Sequence, residues 1–425
     1  MPSAFVMRVR FGAGPLWRAS RVRIHKNGLA MAPRKRLAAP HEVGYISKMA
    51  EMRLQIVYAI FVRKVRSGGV LATLNSRIQS LKALNPGTRA VCFFNENSDD
   101  LDEFPNIDFV SLGGKTPRLK NLLFPLFLTR WLRDKTHQPT HLILRAHFPA
   151  VFYFPAFRKR SFHLVIEHHT VLEPELMILG RLQGAIRVLA LKLSRPFADK
   201  VTDGKLAVTR EILDSESFSG PGCVIANSSS TSHLNPSAVR KFREHDLHIA
   251  TVLSKDYSWN GLERMFACLE EWKMSNPKLT IHFSVIGSVS AYRCRLPDGI
   301  TVSYEGFLSP NEIRKTLARA HVAFSTMGLW KQKLSEACPL KSRLYIDLGI
   351  PFIAGYVDPD LSGREPFVLG VPNDESVVPW DTVENFLARI SEDEEKVRDA
   401  FVEARRRISP GNKALELTKF LASIG

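Results

Sequence analysis

Residues 336 to 355 hold the densest set of groups that could do chemistry. The stretch reads Glu336-Ala-Cys-Pro-Leu-Lys-Ser-Arg-Leu-Tyr-Ile-Asp-Leu-Gly349-Ile-Pro351-Phe-Ile-Ala-Gly355. Leu340, Leu344 and Leu348 recur at i, i+4, i+8, one stripe of a helix. Pro339 suits the first helical position, whose N–H has no partner inside a helix. Gly349 and Pro351 end the helix, and Phe352-Ile353-Ala354 follow as a short apolar strand. A helix start leaves its first N–H groups unpaired with a partial positive charge, which suits phosphate. Cys338 falls at the expected N-cap, where Ser or Thr would occupy those donors. A weak cap there leaves them for a ligand, with the carboxylate of Glu336 just ahead.

The segment resembles the signature helix of family-4-like retaining glycosyltransferases of the GT-B fold. It is most similar to a bacterial surface-polysaccharide branch that reads roughly Pro-Leu-Lys-x-Arg-Glu-Tyr-Leu-Ala-x-Gly-x-Pro. The resemblance implies an α/β chain of two Rossmann-like domains facing across a cleft. It also implies two Glu residues separated by seven positions, the first meeting the donor sugar and the second the nucleotide ribose. Glu336 matches the first; the second falls on Leu344. Two readings of Leu344 follow. In one it is core; in the other it faces the nucleotide and forms an apolar wall beside the ribose.

The elements that must position this helix are legible as αβ units. Residues 53–60 read as a buried first strand, followed by a loop with Arg63, Lys64, Arg66 and the Gly68-Gly69 pair. Leu71, Leu74, Ile78 and Leu81 then mark one face of a helix. Strand, Gly-rich loop and helix together allow close approach to phosphate, and Gly69 is a donor-side candidate. Residues 90–94, 107–112, 141–145 and 162–166 read as further strands. Functional groups in open α/β sheets gather at strand carboxyl ends. Arg145 and His147 end one such strand, and they are the acceptor-side candidates. Glu167-His168-His169 ends another. Neighbours on a strand point to opposite faces, and no third ligand is spaced for a metal, so His168 reads as a buried structural residue. The resemblance assigns His169 to approach the donor sugar.

Residues 228–246 are Ser-, Pro- and charge-rich and read as a linker. A strand at 248–253 opens the second half, followed by Lys255, Tyr257, Trp259, Asn260 and Gly261. The resemblance places two basic residues here on the donor diphosphate. Lys255 matches the first; Asn260 stands where the second is usual. Gly306, in Tyr304-Glu305-Gly306-Phe307, matches the turn against the base. Donor-side candidates are therefore Lys255, Gly69, Gly306, Pro339, Leu340 and Leu344, with Glu336 and His169 as catalytic candidates. Ser309-Pro310-Asn311-Glu312 is a capping box. Asp358-x-Asp360 reads as a loop, and no metal is implied.

The expected organisation is a basic leader over residues 1–50, an acceptor domain over 52–240, a nucleotide-sugar domain over 246–408, and a last helix over 409–425 crossing back to the first. The net charge is +17, with 45% hydrophobic and 24% charged residues. Residues 1–50 carry ten Lys/Arg and one acid, Glu42; the rest carries 49 bases and 41 acids, a net charge of +8. The body is too mildly basic for a dedicated nucleic-acid binder. The leader fits a mistaken start (with Met49 or Met52 the true one), a targeting segment or an arm for anionic lipid. Residues 119–134 form a basic-rimmed apolar helix, either core or lying on a membrane surface. Five scattered Cys residues without C-x-x-C spacing imply a reducing compartment, so the protein is expected in the cytoplasm, either free or at the inner face of the membrane.

The function implied by the resemblance is metal-independent, retaining hexosyl transfer in polysaccharide or glycoconjugate synthesis. The donor is a nucleotide-sugar, the acceptor a glycan or lipid-linked, with peripheral membrane contact; there is no cofactor and no nucleic acid. The alternative is a weak or inactive relative that binds or scaffolds, motivated by Leu344 and Asn260.

Overall fold

The computed structural model describes residues 54–64, 69–96, 101–112, 117–134, 139–146, 152–177, 180–216, 218–229, 240–242, 245–290 and 295–424. The leader and His147 lie outside these. Two parallel sheets organise the described residues.

The first sheet comprises β1 (Ile56–Lys64), β2 (Arg89–Glu96), β3 (Asp108–Ser111), β4 (His141–Arg145), β5 (His163–His168), β6 (Gly204–Ala207) and β7 (Gly222–Val224). Its order is β3-β2-β1-β4-β5-β6-β7. Helices α1 (Gly69–Leu84), α2 (Pro117–Asp134), α3 (Tyr153–Phe157), α4 (Leu172–Met177), α5 (Arg181–Asp199) and α6 (Arg210–Ser215) accompany it. Strands covered on both faces must be apolar throughout, and Leu142, Ile143 and Leu144 of β4 are all fully buried. The stripe Leu71, Leu74, Ile78 and Leu81 seats α1 on the sheet. Strand β1 runs on to Lys64, so Arg63 and Lys64 belong to the strand and not to the loop after it.

The second sheet comprises β8 (Asp246–Lys255), β9 (Thr280–Ser288), β10 (Ile300–Gly306), β11 (Val322–Phe324), β12 (Phe352–Ala354) and β13 (Val368–Gly370), in the order β10-β9-β8-β11-β12-β13. Helices α7 (Leu262–Ser275), α8 (Pro310–Leu317), α9 (Leu340–Leu348), α10 (Trp380–Glu392) and α11 (Glu394–Ile408) complete this domain. At the start of α8, Ser309 Oγ accepts from the Glu312 amide and Glu312 Oε2 accepts from the Ser309 amide. Helix α12 (Pro410–Ile424) returns to the first domain, where Ala414, Leu417, Phe420 and Leu421 join its core against α1.

Both sheets reverse their winding direction once, between β1 and β4 and between β8 and β11. Ligands of open α/β sheets bind outside the strand carboxyl ends at such switch points. Helix α2 settles one of the open readings. Phe124, Leu128 and Leu132 are buried against β1, β2 and β4, so its apolar face is core and not a membrane face. Pro125 is accommodated inside α2, where Thr129 Oγ1 donates to the Pro125 carbonyl. The four described cysteines are unpaired thiols.

Candidate functional site

Helix α9 begins one residue later than its sequence implies. Pro339 is extended (φ −65°, ψ 144°) and is the N-cap, with Leu340 the first helical residue. Proline offers no capping side chain, so no side chain takes the leading amides. Cys338 is therefore not the cap. It is buried against Val208, Ile212 and Ala226 of the first domain, and its thiol lies 3.5 Å from the Val208 carbonyl. Gly349 ends the helix in the left-handed region (φ 72°). The Tyr345 hydroxyl donates to the Phe324 carbonyl and accepts from the Val252 amide, both at 3.1 Å. This pins α9 across the β8–β11 switch point.

Two reciprocal pairs of hydrogen bonds tie the start of this unit to the first domain. Glu336 Oε2 accepts from the amides of Arg210 (2.8 Å) and Glu211 (3.1 Å), the first two residues of α6. Thr209, the α6 N-cap, takes the third amide, from Ile212. In return, Glu211 Oε2 accepts from the amides of Ser335 and Glu336, each at 2.8 Å. Glu336 thus lies between the domains, half-buried, with its carboxylate on a helix N-terminus rather than directed into open space. Gly69 also crosses the gap: a Cβ there would stand 3.2 Å from Leu340 Cδ1. Leu340 is half-buried at this contact.

Lys255 is exposed at the end of β8, with its ammonium 5.8 Å from the Tyr257 ring centre. Asn260 is buried and bridges: its Nδ2 donates to the Lys255 carbonyl at 3.0 Å, and its Oδ1 accepts from Lys341 Nζ at 3.0 Å. Lys341 Nζ also reaches the Ser325 carbonyl, at 3.4 Å. Both partners are neutral, and among the described residues no carboxylate stands within 4.0 Å of this ammonium. Burial alone pushes it down to about 7. Sequence reasoning quoted Lys341 within the Pro-Leu-Lys match yet gave it no role. A second cation beside the loop between Lys255 and Gly261 thus comes from α9, through the Asn260 bridge.

Gly261 follows with φ +73° and only 2.5 Å between its would-be Cβ and the Met327 carbonyl carbon, so only glycine fits. Gly306 also has positive φ (+64°), at a register shift of β10, with open space around it and Phe307 exposed beside it. Leu344 is half-buried and packs against the core of the second domain. That is the bland alternative in part, and its remaining exposure keeps it at the site's edge.

The first domain presents a different arrangement. Glu167 is fully buried at the end of β5 and receives the Tyr58 hydroxyl and Arg77 Nη1 (2.6 Å). His169 Nε2 lies 3.1 Å from the same carboxylate. Burial, with Arg145 nearby, lowers the His169 imidazolium below the ordinary value, so the ring is neutral. Burial also pulls the Arg77 guanidinium down to about 10. Arg145 pairs in register with Glu167 and is half-buried. His168 points the other way, 3.4 Å from Glu216, and burial pushes it down to about 3. It is a neutral core histidine, as strand alternation predicts.

Asp358 and Asp360 are both engaged by cations. Arg343 grips Asp358 through two bonds (2.6 and 3.0 Å) and Asp360 through one (3.0 Å), while Lys413 of α12 holds Asp360 at 2.5 Å. Arg343 Nε donates to the Asn227 carbonyl of the first domain as well. This pair is a structural hub joining α9, α12 and the crossover. Asp246, His248 and His282 are the described group with metal-ligand spacing, at the amino ends of β8 and β9. Nine residues of strand put them about 30 Å from Lys255.

No protein-family model matches the chain, and no curated protein sequence does. Solved structures do. Anabaena HepE, in complex with UDP and glucose, superposes with a TM-score of 0.57 at 13% identity, over 87% of this chain and 100% of its own. Sucrose-phosphate synthase of Thermosynechococcus elongatus gives 0.57 at 14% identity, over 87% and 99%. The trehalose-6-phosphate synthase OtsA gives 0.58 at 10% identity, over 87% and 99%. The fold is that of GT-B glycosyltransferases: two parallel-sheet Rossmann-like domains.

Proposed function

We propose that the protein is a retaining, metal-independent glycosyltransferase that takes a hexose from a nucleoside-diphosphate sugar bound between its domains. One observation carries this reading. The uncapped start of α9 and the ammonium of Lys341, which no carboxylate neutralises, lie together at the switch point of the second sheet. Lys341 is half-buried, and a partly desolvated cation with only neutral partners is held at a cost that an anion relieves. A diphosphate is an anion of the right kind, and α9 amides, Lys341 and Lys255 would stabilise the charge that develops as it leaves.

Glu336 would meet the donor sugar, exchanging its α6 amides for sugar hydroxyls as the site fills. Neutral His169, oriented by Glu167, would approach the sugar from the first domain. Gly306 and Phe307 would bound the base. Gly69 and Leu340 would close over the phosphates, with Pro339 and Leu344 at the rim. Arg145 and His147 belong to the acceptor side. Retention and a role in polysaccharide or glycoconjugate synthesis come from the signature resemblance. The acceptor is a glycan or is lipid-linked; in the lipid case the protein works in the cytoplasm at the inner membrane face. HepE has been seen with UDP and with UDP-glucose, so uridine is the first base to try.

A weak or inactive binding relative is the second reading. Leu344 and Asn260 favour it, since each replaces a charged donor contact with a neutral group. Titration calorimetry with the common nucleoside diphosphates tests the first reading. Saturable binding of one of them, lost in Lys341→Met, is expected; no binding of any would overturn it. Sugar release from the matching nucleotide-sugar then separates the two readings.

A further inference from the structure

Helix α5 carries a surface that the transferase reading does not use. Leu182, Ile186, Leu189, Leu193 and Phe197 fall at i, i+4, i+7, i+11 and i+15, one stripe along four turns. In a folded domain such a stripe faces the core, yet these residues are 76%, 60%, 58%, 65% and 51% exposed. The helix is seated by its other side: Leu191 and Ser194 are buried, and Gly184 lets α4 approach so closely that a Cβ would sit 2.9 Å from Met177 Cα. The stripe is therefore in addition to the packing face, and it is too large for scattered surface residues.

Charge identifies the occupant. On helix α5 Arg187 is half-buried and the exposed Lys192 reaches Glu173 at 3.6 Å, while Arg195 is taken by the buried Glu216 at 3.1 Å and the helix's one acid, Asp199, is 2.9 Å from Lys205. Lys200 follows, its ammonium over the Phe197 ring, and Arg158 and Lys159 are exposed at the end of α3, whose Phe154 meets Phe197 edge-on. A second copy docking on this stripe would bring the same bases face to face. Phosphate headgroups would neutralise them while acyl chains take the leucines. Among the described residues no helix is long and apolar enough to cross a membrane, so the contact lies in the plane of the surface.

We infer that the exposed face of α5 lies in the headgroup layer of an anionic bilayer. Helix α4, which packs on α5 at Gly184, starts three residues after His169, so the strand end assigned to the sugar leads through α4 to this face. The inference stands on α5 alone; it rests on the transferase reading only for what the surface delivers, a lipid-linked acceptor.

The test is flotation of the full chain with phosphatidylcholine vesicles, with and without phosphatidylglycerol, in the absence of donor. Binding is expected only with phosphatidylglycerol, and added salt should weaken it. The triple variant Ile186→Glu, Leu189→Glu, Leu193→Glu should lose more than about tenfold of the bound fraction, from the apolar area denied to the lipid. Its melting temperature and its nucleoside-diphosphate affinity should stay at the wild-type values. Charge reversal at Lys192 and Lys200 gives a second, milder variant that keeps the apolar stripe and should also lose binding. Wild-type protein that floats with neither vesicle overturns the inference. So does binding that survives the triple variant. A wild-type dimer, split by the triple variant and indifferent to vesicles, would reassign the stripe to self-association. None of these outcomes bears on donor binding, which the calorimetry reads separately.

Discussion

The two sheets bring opposite electrostatics to the same cleft. At the carboxyl ends of the first, the buried Glu167 carboxylate neutralises Arg77 and is shared by Tyr58 and His169, with Arg145 beside them. At the corresponding ends of the second, Lys341 has only neutral oxygens and α9 has an open start. A self-neutralised cluster orients side chains and asks for no ligand. An unneutralised one is held at a cost that a bound anion relieves. In the proposed function this contrast assigns positioning to the first domain and the donor to the second.

Breaking each half should separate stability from binding. Glu167→Ala leaves Arg77 buried without its partner and should cost about 3–5 kcal/mol of stability by denaturant unfolding. An unchanged midpoint would show that the first cluster is not closed. Glu336→Ala should keep the fold but lower sugar transfer about 100-fold, the scale of a lost charged hydrogen bond. It also releases the α6 amides, so small-angle scattering should find a more open chain. Lys341→Met should lower nucleoside-diphosphate affinity about 10–100-fold and leave stability equal or higher, the reverse of Glu167→Ala. If both halves behaved alike, the contrast would be wrong.

Titration sharpens the same contrast. The Lys341 ammonium is depressed to about 7 from an ordinary 10.5. As pH rises between these two values, the unfolded chain holds a proton that the folded one has shed, so this group's contribution to stability increases with pH. Bound diphosphate favours the charged form, so affinity should fall by about tenfold as pH climbs from about 6 to about 8. Lys341→Met should flatten that dependence in calorimetry. The smallest effect concerns Leu344. It is half-buried, so Leu344→Glu should fold with a loss of about 1 kcal/mol and tighten nucleoside-diphosphate binding by up to about tenfold through a ribose contact. Unchanged affinity would leave Leu344 as packing alone.

The alternation of strand and helix, the Ser309 capping box and the Gly349 stop were legible because local propensity and tertiary structure agree there. Gly69 is legible from the strand, glycine pair and helix around it, while Lys255 and Gly306 come from the resemblance, and these two lie at the ends of β8 and β10. The Glu336 clasp was not legible: its partners, Arg210 and Glu211, are 126 and 125 residues away, and backbone amides leave no mark on sequence. Lys341 was hidden for another reason, since burial of a lysine depends on what packs around it. The two long basic helices of the first domain show the same limit. Helices α2 and α5 each mix apolar and basic residues, and only packing reveals that α2 hides its apolar face while α5 displays one.

The return of α12 has a consequence for how the chain is made. Asn85 bonds to Thr418, and Gly204 lies against Ile424 and Phe420, so the first domain is finished by residues made after the whole second domain. The second domain needs nothing downstream of α11 for its own core. During synthesis the first domain therefore waits with Leu71, Leu74 and Ile78 incompletely covered while its successor folds. Nascent chains should carry exposed apolar surface on α1 until α12 has emerged, which is the condition under which chaperones bind.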